Sequence, residues 1–330
     1  MRLLSVQDLR TCFFLDDGEL RAVDGVSFEI HKGEIVALVG ESGCGKTIVA
    51  LSILDLVTLP GRVVGGRVVL DGKDLLGAPP ETLRRARGRD IGMVFQEPGA
   101  ALNPVFPVGE QIAEVLRVHG GMAAAEAESE AVRRLGDVGI PEPEKRARSY
   151  PFELSGGMKQ RAVIALATAL RPRLLIADEP TTALDVTVQA EILELLRDLR
   201  DRHGTAILII SHDLGVVAQL ADRVLVMYTG KIVEKGPTAR IFREPLHPYT
   251  RALLASITRL GQGKGAQLGG IPGAVPDFLS LPSGCTFHPR CSLADGECTE
   301  HFPPLRSLEY QRQCACYKVD ALAPMGSEGP

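Results

Sequence analysis

The sequence of 330 residues contains no tryptophan, and aromatic residues make up only 5% of it. No apolar run approaches the roughly 20 residues that a membrane-spanning helix needs, so we expect no integral membrane protein. The first residues reach the charged Asp8 and Arg10 quickly and show no signal peptide. We therefore expect the chain in the cytoplasm unless a partner holds it at a membrane. A net charge of −4 and the lack of a basic tract argue against nucleic-acid binding.

Cysteine is scarce in most of the chain and concentrated near its end. Five of the seven cysteines lie in the last fifty residues: Cys285, Cys291, Cys298, Cys314 and Cys316. In a cytosolic protein such a cluster indicates a metal site more than disulfides. A hydrophobic content of 45% over 330 residues fits a large soluble domain with an appendage.

Residues 40–47 read GESGCGKT and fit the phosphate-loop pattern G-x-x-x-x-G-K-[ST]. The apolar run at 35–39 predicts a buried parallel strand before the loop, and residues 48–54 predict a helix after it. Backbone N–H groups and the helix N-terminus would then surround the phosphates of a nucleoside triphosphate. We expect Lys46 to reach the β- and γ-phosphates and Thr47 to ligate Mg²⁺. The remaining loop contacts are assigned to Gly40, Ser42, Gly43, Cys44 and Gly45.

Several predicted strands end in polar residues. The apolar run at 174–177 delivers Asp178 and Glu179 at its carboxyl end, where ligands bind in a doubly wound sheet. Asp178 is suited to hold Mg²⁺, and Glu179 is suited to polarise the water that attacks the γ-phosphate. Gln96 ends a third strand and could reach Mg²⁺ or that water. His212 ends a fourth strand and could contact the γ-phosphate.

A Leu-Ser-Gly-Gly segment at 154–157 precedes a predicted helix. Ser155 can cap this helix, and the glycines allow a close approach to phosphate. Alone the pattern is weak, because Ser-Gly-Gly also occurs in linkers. The order of phosphate loop, Gln96, Leu-Ser-Gly-Gly, Asp-Glu, Leu184-Asp185 and strand-end histidine resembles the ATP-binding-cassette (ABC) ATPases over residues 1 to about 240.

That resemblance implies a head-to-tail pair of cassettes with each ATP between them. Three residues would then serve the ATP held by the partner cassette: Ser155, Gly156 and Gly157. Asp185 would cross the dimer interface, and His212 would link the γ-phosphate to the catalytic glutamate. An aromatic residue near the N-terminus would stack on adenine; Phe13 is the first choice and Phe14 the alternative, and either could be plain core.

The resemblance also implies an α/β fold of the P-loop NTPase (RecA-like) type, with a parallel-sheet core at 1–240. Alternation of apolar and polar residues over 1–35 and 62–73 predicts an antiparallel β subdomain. Helical spacing predicts an inserted helical subdomain at about 97–160. A small cysteine-containing C-terminal domain at 241–330 completes the predicted organisation.

The entry to the helical subdomain, residues 97–106, mixes prolines with apolar residues that look exposed. This pattern fits either a docking groove or a buried loop. By the family resemblance it would accept a short cytoplasmic helix from a membrane subunit.

The segments EPLHPYTRALL at 244–254 and GCTFHPRC at 284–291 resemble the C-terminal region of oligopeptide and dipeptide importer ATPases. The implied function is hydrolysis of ATP to power peptide import, on the cytoplasmic side of a cell membrane. The implied partners are a second ABC ATPase subunit, either a paralogous chain or a second copy, two permease subunits, and an extracytoplasmic peptide-binding protein. The alternatives are an importer of nickel or another small solute, and a soluble ABC ATPase without membrane partners.

The C-terminal cysteines are widely spaced, as C-x5-C followed by C-x6-C and then 15 or 17 residues. Zinc sites usually begin with tighter pairs, whereas an iron–sulfur cluster can gather ligands from separate loops. Free buried thiols are the third possibility. The resemblance to the dipeptide branch implies a [4Fe–4S] cluster, with Cys314 competing for the fourth position. The implied ligands are Cys285, Cys291, Cys298 and Cys316.

Overall fold

The computed structural model describes residues 1–256 and 271–322. These residues form two compact units, each assembled from separate chain segments. The first unit contains Met1–Leu4, Glu29–Ile35 and Val69–Ile210, and the second contains Ser5–Phe28, Val36–Val68 and the described residues from Ser211 onward.

The described ranges contain both strands and helices. The strands are β1 (Arg2–Leu15), β2 (Gly18–His31), β3 (Ile35–Val39), β4 (Gly61–Leu70), β5 (Lys73–Asp74), β6 (Ile91–Val94), β7 (Leu174–Asp178), β8 (Ala206–Ser211), β9 (Arg223–Tyr228), β10 (Lys231–Pro237), β11 (Arg306–Ser307) and β12 (Gln313–Cys314). The helices are α1 (Lys46–Ile53), α2 (Pro80–Arg85), α3 (Pro98–Ala101), α4 (Val108–Val118), α5 (Ala124–Asp137), α6 (Pro143–Arg146), α7 (Gly156–Thr168), α8 (Val186–His203), α9 (Leu214–Leu220), α10 (Thr238–Arg243), α11 (Pro248–Ala255), α12 (Gly296–Glu300) and α13 (Val319–Leu322).

Three parallel strands form the sheet of the first unit, in the order β6, β7, β8. All residues of β7 and β8 are buried, as expected for continuous apolar runs in a parallel sheet. Because these strands are parallel, their carboxyl ends lie at one edge of the sheet. Gln96, two residues beyond β6, and Glu179, one residue beyond β7, therefore start from the same edge.

The helices between β6 and β7 form a packed group. Helix α4 contacts α5, and both contact α7. Helix α5 buries Ala127, Ala131 and Leu135, which recur every four residues and so share one face. Helix α5 is therefore amphipathic and lies within the helical subdomain predicted at about 97–160.

The second unit joins β3 and β9 in parallel and continues through antiparallel pairs in the order β3, β9, β10, β12, β11. A separate sheet has β1 between β2 and β4, and a turn at 16–17 connects β1 to β2. The end of β4 pairs with β5 in antiparallel fashion. The predicted combination of a parallel core, an antiparallel sheet and inserted helices is confirmed.

The C-terminal region continues the sheet of the second unit around a buried carboxylate. Strand β12 pairs with β10, and Glu234 lies opposite Cys314. Glu234 is fully buried and accepts hydrogen bonds from the backbone N–H groups of Leu246 and His247, each at 2.9 Å. The guanidinium of Arg312, also buried, lies 3.2 Å from the same carboxylate. A buried charge is tolerated when it is paired and hydrogen-bonded, and this one has three donors.

His247 starts α11 as its N-cap. Its Nδ1 accepts a hydrogen bond from the Tyr249 N–H at 3.0 Å, which satisfies one of the free amides of the first turn. The imidazole is 1% exposed. Burial lowers the pKa of His247 to about 3, and a hydrogen bond with the backbone of Ala315 opposes the shift. The ring is therefore neutral at physiological pH.

The low pKa of His247 predicts an acid-sensitive fold. The unfolded chain takes up a proton near pH 6.5, but the folded chain does so only near pH 3, so stability falls as the pH drops through that window. One such group lowers the free energy of unfolding by about 1.4 kcal/mol for each pH unit within this window. The melting temperature of His247→Asn, which keeps a capping oxygen, should therefore fall less steeply between pH 6.5 and 4. The exposed control His301→Asn should follow the wild-type slope; an unchanged slope in His247→Asn would contradict this account.

Candidate active site

The phosphate loop of the second unit lies between the fully buried β3 and the start of α1. Gly45 caps α1 at φ +105°, and a Cβ there would lie 2.3 Å from the carbonyl oxygen of Ala22. A Cβ on Gly40, at φ +156°, would lie 2.2 Å from the carbonyl oxygen of Met227. Both positions therefore require glycine. Ser42, Gly43 and Thr47 are exposed at the loop surface.

Lys46 ties the loop together through its ammonium group. Its Nζ donates to the carbonyl oxygens of Gly40 and Glu41, both at 2.9 Å, and lies 3.8 Å from Cys44 Sγ. Cys44 is fully buried, and this burial raises the pKa of its thiol. Cys44 thus fills the tight loop as a small neutral side chain, while its carbonyl accepts from the Gly230 N–H at 3.0 Å.

In the first unit the structure brings Gln96 and Glu179 together. Gln96 Nε2 donates to Glu179 Oε2 at 3.1 Å, and the Thr182 hydroxyl donates to the same oxygen at 2.9 Å. The Glu179 N–H donates to the carbonyl of Ile210 at 2.9 Å, although its φ of +48° is unusual outside glycine. Strain of this kind concentrates at functional sites. Asp178, one residue earlier, is 2% exposed.

Ser155 and Asp185 both serve as helix N-caps. Ser155 Oγ accepts from the Met158 N–H at 3.3 Å and starts α7, as the sequence predicts. Asp185 Oδ1 accepts from the Val188 N–H at 2.9 Å and starts α8. Gly156 is exposed, and a Cβ on Gly157 would lie 2.8 Å from Val188 Cγ1.

The other predicted nucleotide contacts lie in the second unit. His212 directly follows β8 and is exposed, and the neighbouring Asp213 caps α9. Phe13 is half-buried, and its ring would lie 2.6 Å from a Cβ on Gly61. Phe14 is 40% exposed, with the Arg62 guanidinium 4.3 Å from its ring centroid.

Four of the five C-terminal cysteines line one cavity of about 20 Å³: Cys285, Cys291, Cys298 and Cys316. Cys314 is fully buried and does not line this cavity. It packs in an apolar cluster with Leu246 and Val319, to which Cys316 also belongs. Within residues 1–256 and 271–322, no group of three or more His, Cys, Asp and Glu side chains is arranged to hold a metal ion.

Three of the cavity thiols have hydrogen bonds with the backbone: Cys285, Cys298 and Cys316. The Lys318 N–H donates to Cys316 Sγ at 3.4 Å. Burial raises the pKa of the Cys285 thiol to about 11, while a hydrogen bond from the backbone of Phe287 opposes this shift. The cavity therefore combines four sulfurs with local amide donors.

An exposed apolar patch follows β6. Val105 is 69% exposed and Phe106 is 50% exposed. The buried Gln111 side chain holds this loop, because it accepts from the Asn103 N–H at 2.9 Å and donates to the Phe106 carbonyl at 2.9 Å. Phe152, which lies between α6 and α7, is 71% exposed. The apolar patch, defined as Val105 and Phe106, is thus presented by a fixed loop.

Sequence reasoning missed four residues at these sites. Thr182 shares Glu179 Oε2, and its only sequence signal is a hydroxyl three residues after the glutamate. Glu41 contacts Tyr249 and Arg290, which lie more than 200 positions away. No local pattern indicates such a distant pairing.

No helix among the described residues has the length and apolar character needed to cross a membrane. Residues 23–182 match the family described as ABC transporter, and residues 233–298 match the oligopeptide/dipeptide transporter C-terminal region.

Curated relatives match almost the whole chain. A putative peptide import ATP-binding protein of Brucella melitensis is 49% identical, over 97% of this chain and 98% of the relative. The oligopeptide transport ATP-binding protein OppD of Salmonella typhimurium is 48% identical, over 96% of this chain and 93% of the relative.

Among solved structures, the dimeric ATP-binding cassette MJ0796 bound to ADP and Pi superposes with a TM-score of 0.65 at 26% identity. The match covers 72% of this chain and 99% of that structure. With the phosphate loop, the strand-end glutamate and the C-terminal region all on one polypeptide, the chain belongs to the ABC transporter ATPases that carry the oligopeptide/dipeptide transporter C-terminal region.

Proposed function

We propose that this chain is the ATP-hydrolysing subunit that powers import of dipeptides or oligopeptides through a membrane transporter. One observation carries the peptide assignment: an oligopeptide/dipeptide transporter C-terminal region at 233–298 follows the cassette on the same chain. The relatives named for peptide import span nearly the full length of the chain, which supports the same conclusion. The cargo itself is selected by other subunits, so a nickel or small-solute importer is the competing outcome.

The nucleotide would bind at the phosphate loop. Backbone N–H groups of the loop and of the start of α1 would face the phosphates, and Phe13 would stack on adenine. The Lys46 ammonium now donates to two loop carbonyls and would transfer these bonds to the β- and γ-phosphates. The loop residues assigned to this binding are Gly40, Ser42, Gly43, Cys44, Gly45, Lys46 and Thr47.

The donor set proposed for Mg²⁺ is the Thr47 hydroxyl, the Gln96 amide oxygen and the Asp178 carboxylate. Oxygen ligands of these types suit Mg²⁺, whose bound form neutralises charge on the β- and γ-phosphate oxygens. Exposure of Thr47 and Gln96 leaves their oxygens accessible, and burial of Asp178 at the end of β7 fixes its carboxylate.

Glu179 would act as the base that polarises the attacking water. Hydrogen bonds from Gln96 and Thr182 to Oε2 fix the orientation of this carboxylate, as a base that polarises water requires. His212 would contact the γ-phosphate and link it to the catalytic glutamate. In the ATP-bound dimer, the partner's nucleotide would meet Ser155, Gly156, Gly157 and Asp185 of this chain.

The transporter partners would be a second cassette, two permease subunits and an extracytoplasmic peptide-binding protein acting through them. The exposed apolar patch, with its fixed loop, supports contact with a short cytoplasmic helix of a permease subunit. The chain would then be peripheral, held at the cytoplasmic face of the membrane by these partners.

The four cavity cysteines would hold a [4Fe–4S] cluster. Support comes from their shared cavity and from the amide donors to Cys285 and Cys316, since hydrogen bonds to sulfur tune such clusters. The cavity is about 20 Å³ and would have to widen to hold the cluster. Cys316, and not Cys314, would be the fourth ligand because only Cys316 lines the cavity.

Co-purification tests the transport assignment. The tagged chain, purified from detergent-solubilised membranes, should bring two multi-span permease subunits and a second cassette in mass spectrometry. Phe106→Asp should reduce permease recovery, because a charge would enter the apolar patch, whereas Leu59→Asp, at another exposed residue, should not. Recovery only from the soluble fraction would contradict peptide import and leave the ATPase assignment standing.

Replacement of the proposed base tests the chemistry. Glu179→Gln keeps the size of the side chain, but an amide cannot take a proton. The ATP hydrolysis rate should therefore drop by a factor of about 10²–10⁴, while ATP binding is retained. Glu194→Gln, the same change at an exposed position of α8, should leave hydrolysis unchanged. Normal turnover in Glu179→Gln would remove this residue from the mechanism.

The cluster has a direct chemical test. Protein purified without oxygen should be brown and contain about four iron and four sulfide per chain. Cys316→Ser should lose most of the iron, while Cys314→Ser should keep it, because Cys314 lies outside the cavity. A colourless protein with one zinc per chain, or with no metal, would rule out the cluster.

A further inference from the structure

Glu41, the second residue of the phosphate loop, is held by the C-terminal region. Its carboxylate makes a two-pronged ion pair with Arg290, with Nη1–Oε2 at 2.8 Å and Nη2–Oε1 at 3.0 Å. The Arg290 side chain is only 4% exposed and that of Glu41 is 23% exposed. Bidentate, charge-assisted pairs of this kind fix orientation as well as distance.

The backbone of Glu41 is fixed on both sides. Its N–H donates to the Tyr249 hydroxyl at 2.8 Å, and its carbonyl accepts from Lys46 Nζ at 2.9 Å. The carboxylate, the N–H and the carbonyl therefore all have partners. Two of these partners, Tyr249 and Arg290, come from the C-terminal region, and the third is the phosphate-binding lysine itself.

Tyr249 and Arg290 are themselves anchored in a packed aromatic group. The Tyr249 ring lies 4.6 Å from that of Tyr228 and 5.4 Å from that of Phe287, measured between centroids. Arg290 also donates to the Tyr228 hydroxyl at 3.3 Å and to the Pro272 carbonyl at 2.8 Å. The contacts to Glu41 thus come from a rigid surface, not from free side chains.

We propose that Arg290 and Tyr249 are positioning residues that hold the phosphate loop in its nucleotide-binding shape. This inference rests on the proposed ATP site. Lys46 must exchange its bonds to Gly40 and Glu41 for bonds to phosphate, and a fixed Glu41 keeps the loop open while that exchange occurs. If the loop has its nucleotide-binding shape for only a fraction of the time, its apparent affinity for ATP is reduced by that fraction. The C-terminal region then contributes to ATP affinity, not to the chemical step.

The test separates ATP affinity from turnover in the full-length chain within the complex with which it purifies. Tyr249→Phe removes only the hydroxyl. Arg290→Lys keeps the charge but cannot form the bidentate pair with Glu41. Each should weaken binding of a fluorescent ATP analogue about fivefold to tenfold. The rate at saturating ATP should stay within about twofold of wild type, because the residues of the chemical step are untouched.

Two controls distinguish positioning from general stability. Arg306→Lys alters another ion pair of the C-terminal region, with Asp320, and should leave ATP affinity unchanged. Glu41→Gln should weaken binding as Arg290→Lys does, and the double variant should be no worse than either single one. Melting temperatures measured without nucleotide report on folding independently.

These measurements distinguish failure of the positioning role from failure of the proposed function. Wild-type affinity in Tyr249→Phe and Arg290→Lys, with or without a lower melting temperature, overturns the positioning role and leaves the proposed function intact. Additive losses in the Glu41→Gln/Arg290→Lys double variant would also overturn it, because the two side chains would then act separately. A wild-type chain that binds no ATP would instead overturn the proposed function, and this inference with it.

Discussion

The carbonyl oxygens of Ala22 and Met227 lie close against the phosphate loop and restrict its shape. Each lies little more than 2 Å from where a side chain would begin on Gly45 or Gly40. Met227 belongs to β9, which pairs with β3, the strand that leads into the loop. The loop is thus confined by its own sheet, and the hydrogen bonds of Lys46 are possible only because the backbone passes so closely.

Much of this arrangement could be predicted from local sequence. Strands β3, β7 and β8 are continuous apolar runs, and a parallel sheet buries such runs on both faces. Because parallel strands end at one edge, polar residues just beyond them are expected to meet, and Gln96 and Glu179 do. The caps at Ser155 and Asp185 follow equally local rules.

The rest depends on distant parts of the chain that no local pattern connects. The pairing of Arg290 with Glu41 joins residues 249 positions apart. The two candidate cysteines near the end are only two residues apart in sequence. Both belong to one apolar cluster with Leu246, but β12 ends at Cys314, whereas Cys316 lies beyond the strand and also lines the cavity. Where a two-residue strand ends is decided by its partner strand, not by its own residues.

The buried carboxylate of Glu234 joins the C-terminal region to the cassette through its hydrogen bonds. Its donors come from the turn before α11 and from Arg312 beside β12, while Glu234 itself lies in β10. A hybrid built by exchanging C-terminal regions between two such proteins would therefore inherit one half of this ion pair from each parent. The natural boundary for such an exchange lies before β10, so that strand, glutamate and arginine travel together.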